Sequence, residues 1–223
     1  MTIEAATKPT YAEARQNMVD NQLRANAVTD EALLAAMGRI PRERFVPEAM
    51  AGIAYIDEDL PIGGGRFLLE PMVLARLIQA AGVKPGDKAL DIGCATGYAA
   101  AVLAALGARV VALECDPRLA DRARATLAAE GASAVTVAAG DLVQGHPAGA
   151  PYDVILIEGR IERLPSALLG QLAPGGRLVT VMAERGRVGE AIIVRQGSAA
   201  RVALFDAATL PLPGFAAEPG FVF

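Results

Sequence analysis

The chain has 223 residues, 53% of them hydrophobic and 21% charged, with a net charge of −4, two cysteines and one histidine. That is ample apolar material for one large core, and too few cysteines for a disulfide scaffold or a four-ligand zinc site. The lack of a Lys/Arg block disfavours a general nucleic-acid surface, and Gly and charged residues break every apolar run before the ~18 residues of a membrane span.

In chain order, the leading MTIEAATKPTYAEARQ has no basic-then-apolar leader pattern, so the expected setting is cytoplasmic, with reduced thiols. Residues 11–50 read as two helices and a turn. Met18, Leu23 and Val28 mark the apolar side of the first; Thr29 or Asp30 caps the second, whose apolar residues are Leu33, Leu34 and Met37. Pro41 and Pro47 stop helical structure. AYIDEDLPIGGG reads as an irregular arm, because Pro61 and three glycines do not suit a regular element. Pro71 opens the helix PMVLARLIQAAG, which Gly82 ends.

From residue 83 strands and helices alternate. KALDIGC, RVVALECD, AVTVAAGD, YDVILIEG and GRLVTVM read as strands, and YAAAVLAALG, RLADRARATLAAEG and LPSALLGQL as helices. EAIIVRQGSAARVALFDA reads as two further strands joined at Gly197–Ser198. Apolar strands separated by helices imply an α/β fold with a mostly parallel sheet covered on both faces. The expected organisation is a helical and looped extension, 1–82, packed on a Rossmann-like core, 83–223, as one structural unit.

The chemistry concentrates in ALDIGCATGYAAAVLA, where a strand ends at Asp91 and a glycine turn leads into a helix. Gly93 and Gly97 permit positive φ and close backbone approach to a ligand. Glu114 ends the next strand, where an acid binds ribose hydroxyls, and Asp141 ends the third, where a carboxylate accepts from an adenine amino group. Three acids at neighbouring strand ends predict one crevice. Asp91 directly before the turn suits a cation, the amino and sulfonium groups of S-adenosylmethionine, better than a dinucleotide's pyrophosphate. The loop D-I-G-C-A-T-G also differs from the G-x-G-x-x-G of NAD sites. His146, in a Pro/Gly loop, reads as a surface residue, Tyr98 as packing at a helix start, and Cys94 as a small packed residue beside the ligand. No metal site is expected, and EPGFVF at the end reads as an apolar seam without a function.

MVDNQL, RIPRERFVP, AYIDEDLPIG, ALDIGCATGY, GDLVQGHPAGAPYD and LLGQLAPGGRLV resemble, in order, the blocks of the protein-L-isoaspartate O-methyltransferases, within the class I methyltransferase fold. The likeness runs to about residue 182, and its N-terminal blocks are specific to that family. The resemblance implies a seven-stranded sheet with its last strand antiparallel. It implies S-adenosylmethionine as donor, leaving S-adenosylhomocysteine, with Asp91, Gly93 and Gly97 around the methionine portion, Glu114 on the ribose and Asp141 with the Leu142 backbone on adenine. Leu68, Leu69, Cys94, Cys115 and Glu158 complete the expected donor site. The implied function is methylation of isoaspartyl carboxylates in protein repair, on a protein or peptide substrate.

Two departures bear on the acceptor. Aligned on Pro71, the family's active-site serine falls on Leu69, and the small pair after the fourth strand appears as Glu158-Gly159-Arg160. Arg66 and Arg160 are therefore candidates to grip the acceptor carboxylate. The plainer reading of Arg66 is a solvated loop residue paired with Glu70, and of the leucines an apolar lip. A changed acceptor such as a small metabolite, a donor-binding module without turnover, and an NAD oxidoreductase are the alternatives. YDVILIEG lacks the Asn-Pro-Pro-Tyr pattern of base amino-methylation, so DNA is not expected.

Overall fold

The computed structural model describes residues 9–133, 135–184, 186–198 and 200–217. Thr10 starts helix α1 (Tyr11–Met18) with a reciprocal cap, its hydroxyl accepting from the Glu13 N–H while the Glu13 carboxylate accepts from the Thr10 N–H. The chain continues through a π turn (Val19–Leu23) and a 3-10 turn (Arg24–Asn26). Asp30, rather than Thr29, caps α2 (Glu31–Arg39), accepting from the N–H groups of Ala32 and Leu33. Met18, Leu23, Val28, Leu33, Leu34 and Met37 are all buried. Pro41 follows the end of α2, but it and Pro47 each precede a 3-10 segment, Arg42–Arg44 and Glu48–Ile53, so helical turns continue past both.

The arm expected to be irregular is a hairpin of β1 (Leu60–Gly63) and β2 (Arg66–Leu68). Pro61 is tolerated because the hairpin stands outside the main sheet, where a missing N–H breaks no central ladder. Helix α3 (Pro71–Ala81) follows, and Gly82 ends it at φ +57°.

The main sheet contains β3 (Lys88–Ile92), β4 (Arg109–Glu114), β5 (Thr136–Ala139), β6 (Tyr152–Ile161), β7 (Leu172–Met182), β8 (Gly189–Arg195) and β9 (Arg201–Ala207). Their order is β5-β4-β3-β6-β7-β8-β9. The first five run parallel; β8 pairs antiparallel with β7, and β9 antiparallel with β8, as the expected terminal hairpin. Helices α4 (Tyr98–Ala105), α5 (Pro117–Ala129) and the short α6 (Ser166–Leu169) fill the crossovers.

Alternate residues of one strand enter opposite layers. Val154 and Leu156 of β6 join the core shared with α3, α4 and the N-terminal helices, whereas Ile155 and Ile157 join Leu90, Leu168 and Phe215 on the other face. Both faces are covered, which is why these strands are apolar throughout. Ala99, Ala100, Ala101, Val102 and Leu103 of α4 are likewise all buried, between sheet and N-terminal helices. No helix of the described residues is long and apolar enough to cross a membrane. EPGFVF, 218–223, lies outside the described residues.

Candidate active site

Parallel neighbours β5, β4 and β3 deliver their C-terminal ends to one edge of the sheet, and with them Asp141, Glu114 and Asp91. The turn after β3 holds Gly93 at φ +79°, Ala95 at +53° and Gly97 at +94°. Side chains would obstruct it: a Cβ on Gly97 would lie 3.0 Å from Leu127, and one on Gly93 2.8 Å from Leu212.

The three acids are not equivalent. Glu114 is fully buried and accepts from the N–H groups of Ala95 (2.8 Å), Cys115 (2.8 Å) and Asp116 (3.1 Å). Asp91 is also fully buried, yet neither of its carboxylate oxygens has a protein donor in hydrogen-bond geometry. A second buried acid, Glu158, stands beside it and interacts with it. Burial foremost pushes Asp91 up, with Glu158's hydrogen bond and Arg66 pulling it down and Glu114's charge adding to the rise. Burial and then the Asp91 charge push Glu158 well above the carboxylate range. Asp141, expected to converge with the other two, instead stays exposed at the rim and turns its Oδ1 to the Val143 N–H at 2.9 Å. A two-residue Asx turn satisfies it there; beside it Leu142 is buried.

Arg66 is the largest correction. It is not solvated and does not meet Glu70: Nη1 lies 2.5 Å from Glu114 Oε1 and Nη2 donates to the Gly93 carbonyl at 2.8 Å. A carboxylate already held by three backbone N–H groups is a fixed counter-charge, which draws the guanidinium inward. Glu70 is half-buried near Asp57 and Asp59, and burial first, then their charges, push it up to about 7.

Leu68 and Leu69 are buried, and the Leu69 carbonyl accepts from Arg42 Nη2 at 2.5 Å. Arg42 is itself fully buried, donating from Nε to the Ala54 carbonyl and lying 5.0 Å from the Tyr98 ring. It ties the lip to the N-terminal segment, a role the sequence reading missed, although a lone arginine among the apolar residues and prolines of RIPRERFVP was the available signal.

Arg160 lies past a register irregularity in β6, one residue beyond the expected strand end. Its N–H donates to Leu210 O and its carbonyl accepts from the Leu212 N–H, both at 2.9 Å, so 210–212 form a strap bridged in parallel to β6 over the mouth. Nothing in the sequence reading pointed to this strap. The Arg160 Nε is buried without a partner and borders a cleft of about 400 Å³ shared with Asp59, Glu70, Arg187 and Thr209.

Cys94 is fully buried, where burial pushes its thiol up, and Cys115 is exposed. Tyr98 is buried edge-on against Phe45. His146, expected at the surface, is half-buried with Nδ1 3.1 Å from the Tyr152 hydroxyl. Tyr152 begins β6, so this contact lies at the opposite edge of the sheet from the crevice. Among the described residues no group of three His, Cys, Asp or Glu is arranged to hold a metal.

A buried acid pair with three donorless oxygens, under a backbone turn left open by glycine, fits a cationic ligand. With this sheet order it defines a class I methyltransferase fold. The model of the protein-L-isoaspartate(D-aspartate) O-methyltransferase family matches residues 13–204, and the chain belongs to that family. It is 47% identical over 171 residues to the protein-L-isoaspartate O-methyltransferase of Methylorubrum extorquens, covering 77% of this chain and 75% of that one. With the Koribacter versatilis enzyme of the same name it shares 39% over 205 residues, 92% of each. A solved protein-L-isoaspartate O-methyltransferase superposes with TM-score 0.78 at 24% identity, over 91% of this chain and 67% of that one. A Plasmodium falciparum β-aspartate methyltransferase in complex with S-adenosyl-L-homocysteine gives 0.76 at 20%, over 89% and 97%. At those identities the two structures speak for the fold alone.

Proposed function

We propose that the protein is an S-adenosylmethionine-dependent O-methyltransferase that esterifies isoaspartyl carboxylates of damaged proteins in the cytoplasm. The observation that carries this is Asp91, fully buried at the glycine turn with no donor on either oxygen. Asp91 and the Gly93–Gly97 turn would face the donor's cationic methionine end, Glu114 the ribose, and Asp141 with the Leu142 backbone the adenine. Leu68, Leu69, Cys94, Cys115 and Glu158 would line the remainder. The donor supplies an electrophilic methyl group on a sulfonium.

The chain's own residues have modest chemical work to do. The acceptor carboxylate is already anionic at neutral pH, so no general base is needed, and in-line placement with partial desolvation provides the acceleration. Arg160 borders the outer cleft and is the acceptor-facing cation of this reading. Residues 1–82 act as an extension that caps the core of 83–223, with Arg42 joining it to the lip.

Incubation with methyl-labelled donor and an isoaspartyl peptide should give a base-labile methyl ester; no ester at high enzyme concentration would remove this acceptor. A second reading, a changed acceptor, is favoured by Leu69 at the family's serine position. It predicts donor consumption in a metabolite extract but not with the peptide.

A further inference from the structure

Arg66 stands where a ligand's hydroxyls belong. A carboxylate ending the second strand beside a glycine turn is the acceptor for a ribose diol, and here a guanidinium already covers it. Oε1 of Glu114 accepts from Arg66, Cys115 and Asp116, and Oε2 from Ala95. Both partners are cut off from water, Arg66 being 4% and Glu114 0% exposed. Leu212 closes in from the strap, and the space left between Arg66, Leu69, Glu158, Gly159 and Leu212 is about 10 Å³. Ribose hydroxyls therefore reach Glu114 Oε1 only when Arg66 leaves it.

The arm that carries Arg66 is built to allow that. β1 turns into β2 through Gly63, Gly64 and Gly65, at φ +100°, +62° and +70°. Around the first and third, even a Cβ would meet no atom within 4 Å. The middle one, Gly64, lies against the Asp116 side chain, where a Cβ would stand 3.0 Å from Oδ2.

Resting on the functional reading above, we propose that Arg66 is an internal competitor of the donor: the donor's ribose hydroxyls replace its guanidinium on Glu114, and the displaced guanidinium then binds the acceptor's carboxylate. A guanidinium taken from a buried ion pair is driven toward another carboxylate, which it grips through two N–H donors, and the acceptor brings one. The order of binding follows, donor first. The same exchange supplies a polar acceptor contact that Leu69 lacks.

Calorimetric titration of S-adenosylhomocysteine into the wild type, Arg66→Gln and Arg66→Lys tests the first half. Arg66→Gln should bind it at least tenfold more tightly than the wild type, and Arg66→Lys, which still pairs with Glu114, close to the wild type. Titration of an isoaspartyl peptide, with its aspartyl isomer as control, tests the second: the wild type loaded with S-adenosylhomocysteine should bind at least tenfold more tightly than loaded Arg66→Gln. A purely structural role would weaken both ligands in the variant. Equal or weaker S-adenosylhomocysteine binding by folded Arg66→Gln would overturn this inference alone. No binding by any form would overturn it together with the reading of the crevice. Arg66→Met, which keeps the apolar stem, repeats the test if the Gln variant unfolds; unfolding of both would make Arg66 a structural pair and end the proposal.

Discussion

The Arg66–Glu114 pair predicts an asymmetric response to losing either partner. If Glu114 becomes Gln, Arg66 keeps its charge with only the Gly93 carbonyl to meet it, at 2.8 Å in a site closed to water. Stranding one member of a buried pair costs about 3–5 kcal/mol. If Arg66 becomes Met, Glu114 keeps three backbone N–H donors at 2.8–3.1 Å. What is lost is then nearer one charge-assisted hydrogen bond, about 1.5–3 kcal/mol. For a chain of this size about 2–4 °C of melting temperature goes with each kcal/mol. Glu114→Gln should therefore melt roughly 6–20 °C below the wild type and Arg66→Met roughly 3–12 °C below it. The double variant strands no charge and should fall short of the summed losses by at least ~2 kcal/mol. Urea titrations of all four proteins give the cycle. Equal losses that simply add would show that the two side chains do not interact in a buried site.

Glu158 and Asp91 have folded pKa values raised above their unfolded ones, so their stabilising contribution is complete at low pH and lost as pH climbs through the raised values. Each pH unit of elevation corresponds to about 1.4 kcal/mol; Glu158→Gln should accordingly flatten the fall in melting temperature as pH rises above 4.5, and an unchanged slope would refute the raised Glu158 carboxyl. Glu70 has the same sign, its contribution being lost from pH 4.5 to about 7. With solvent screening of a half-exposed group it amounts to about 1 kcal/mol, so Glu70→Gln should gain about 2–4 °C at pH 8 and nothing at pH 4. Gly97→Ala should lose at least about 1–2 kcal/mol from the left-handed backbone alone, read by denaturant unfolding, because φ is +94°. Leu69→Ser exchanges a buried hydrocarbon for a hydroxyl, which should lower stability by about 3 kcal/mol while raising kcat/KM on an isoaspartyl peptide up to about tenfold. A loss of both would mean that the packing of Leu69 serves the reaction.

Most of the sheet was legible because both of its faces are buried, leaving apolar runs bounded by Gly, Asp and Pro that mark each strand end. Gly82 and Asp30 are local signals, a left-handed terminus and an N-cap, and both act at the positions read for them. The hairpin around Pro61 was hidden because its pairing is settled by contact with the core rather than by its own residues. Arg66 was hidden for a related reason. Whether an arginine on a glycine-rich arm points to water or inward depends on a carboxylate 48 residues away, and no local pattern encodes that distance. Asp141 shows the opposite case: it ends its strand as read, and an Asx turn then engages one of its carboxylate oxygens and holds the side chain at the exposed rim.

The strap over the mouth has a bearing on the company this protein keeps. By bonding Arg160 to Leu210 and Leu212, the chain occupies the free border of its own overhanging strand. Unpaired strand borders recruit extended chains and seed their stacking. An extended polypeptide brought to this mouth finds nothing on this border to zip onto.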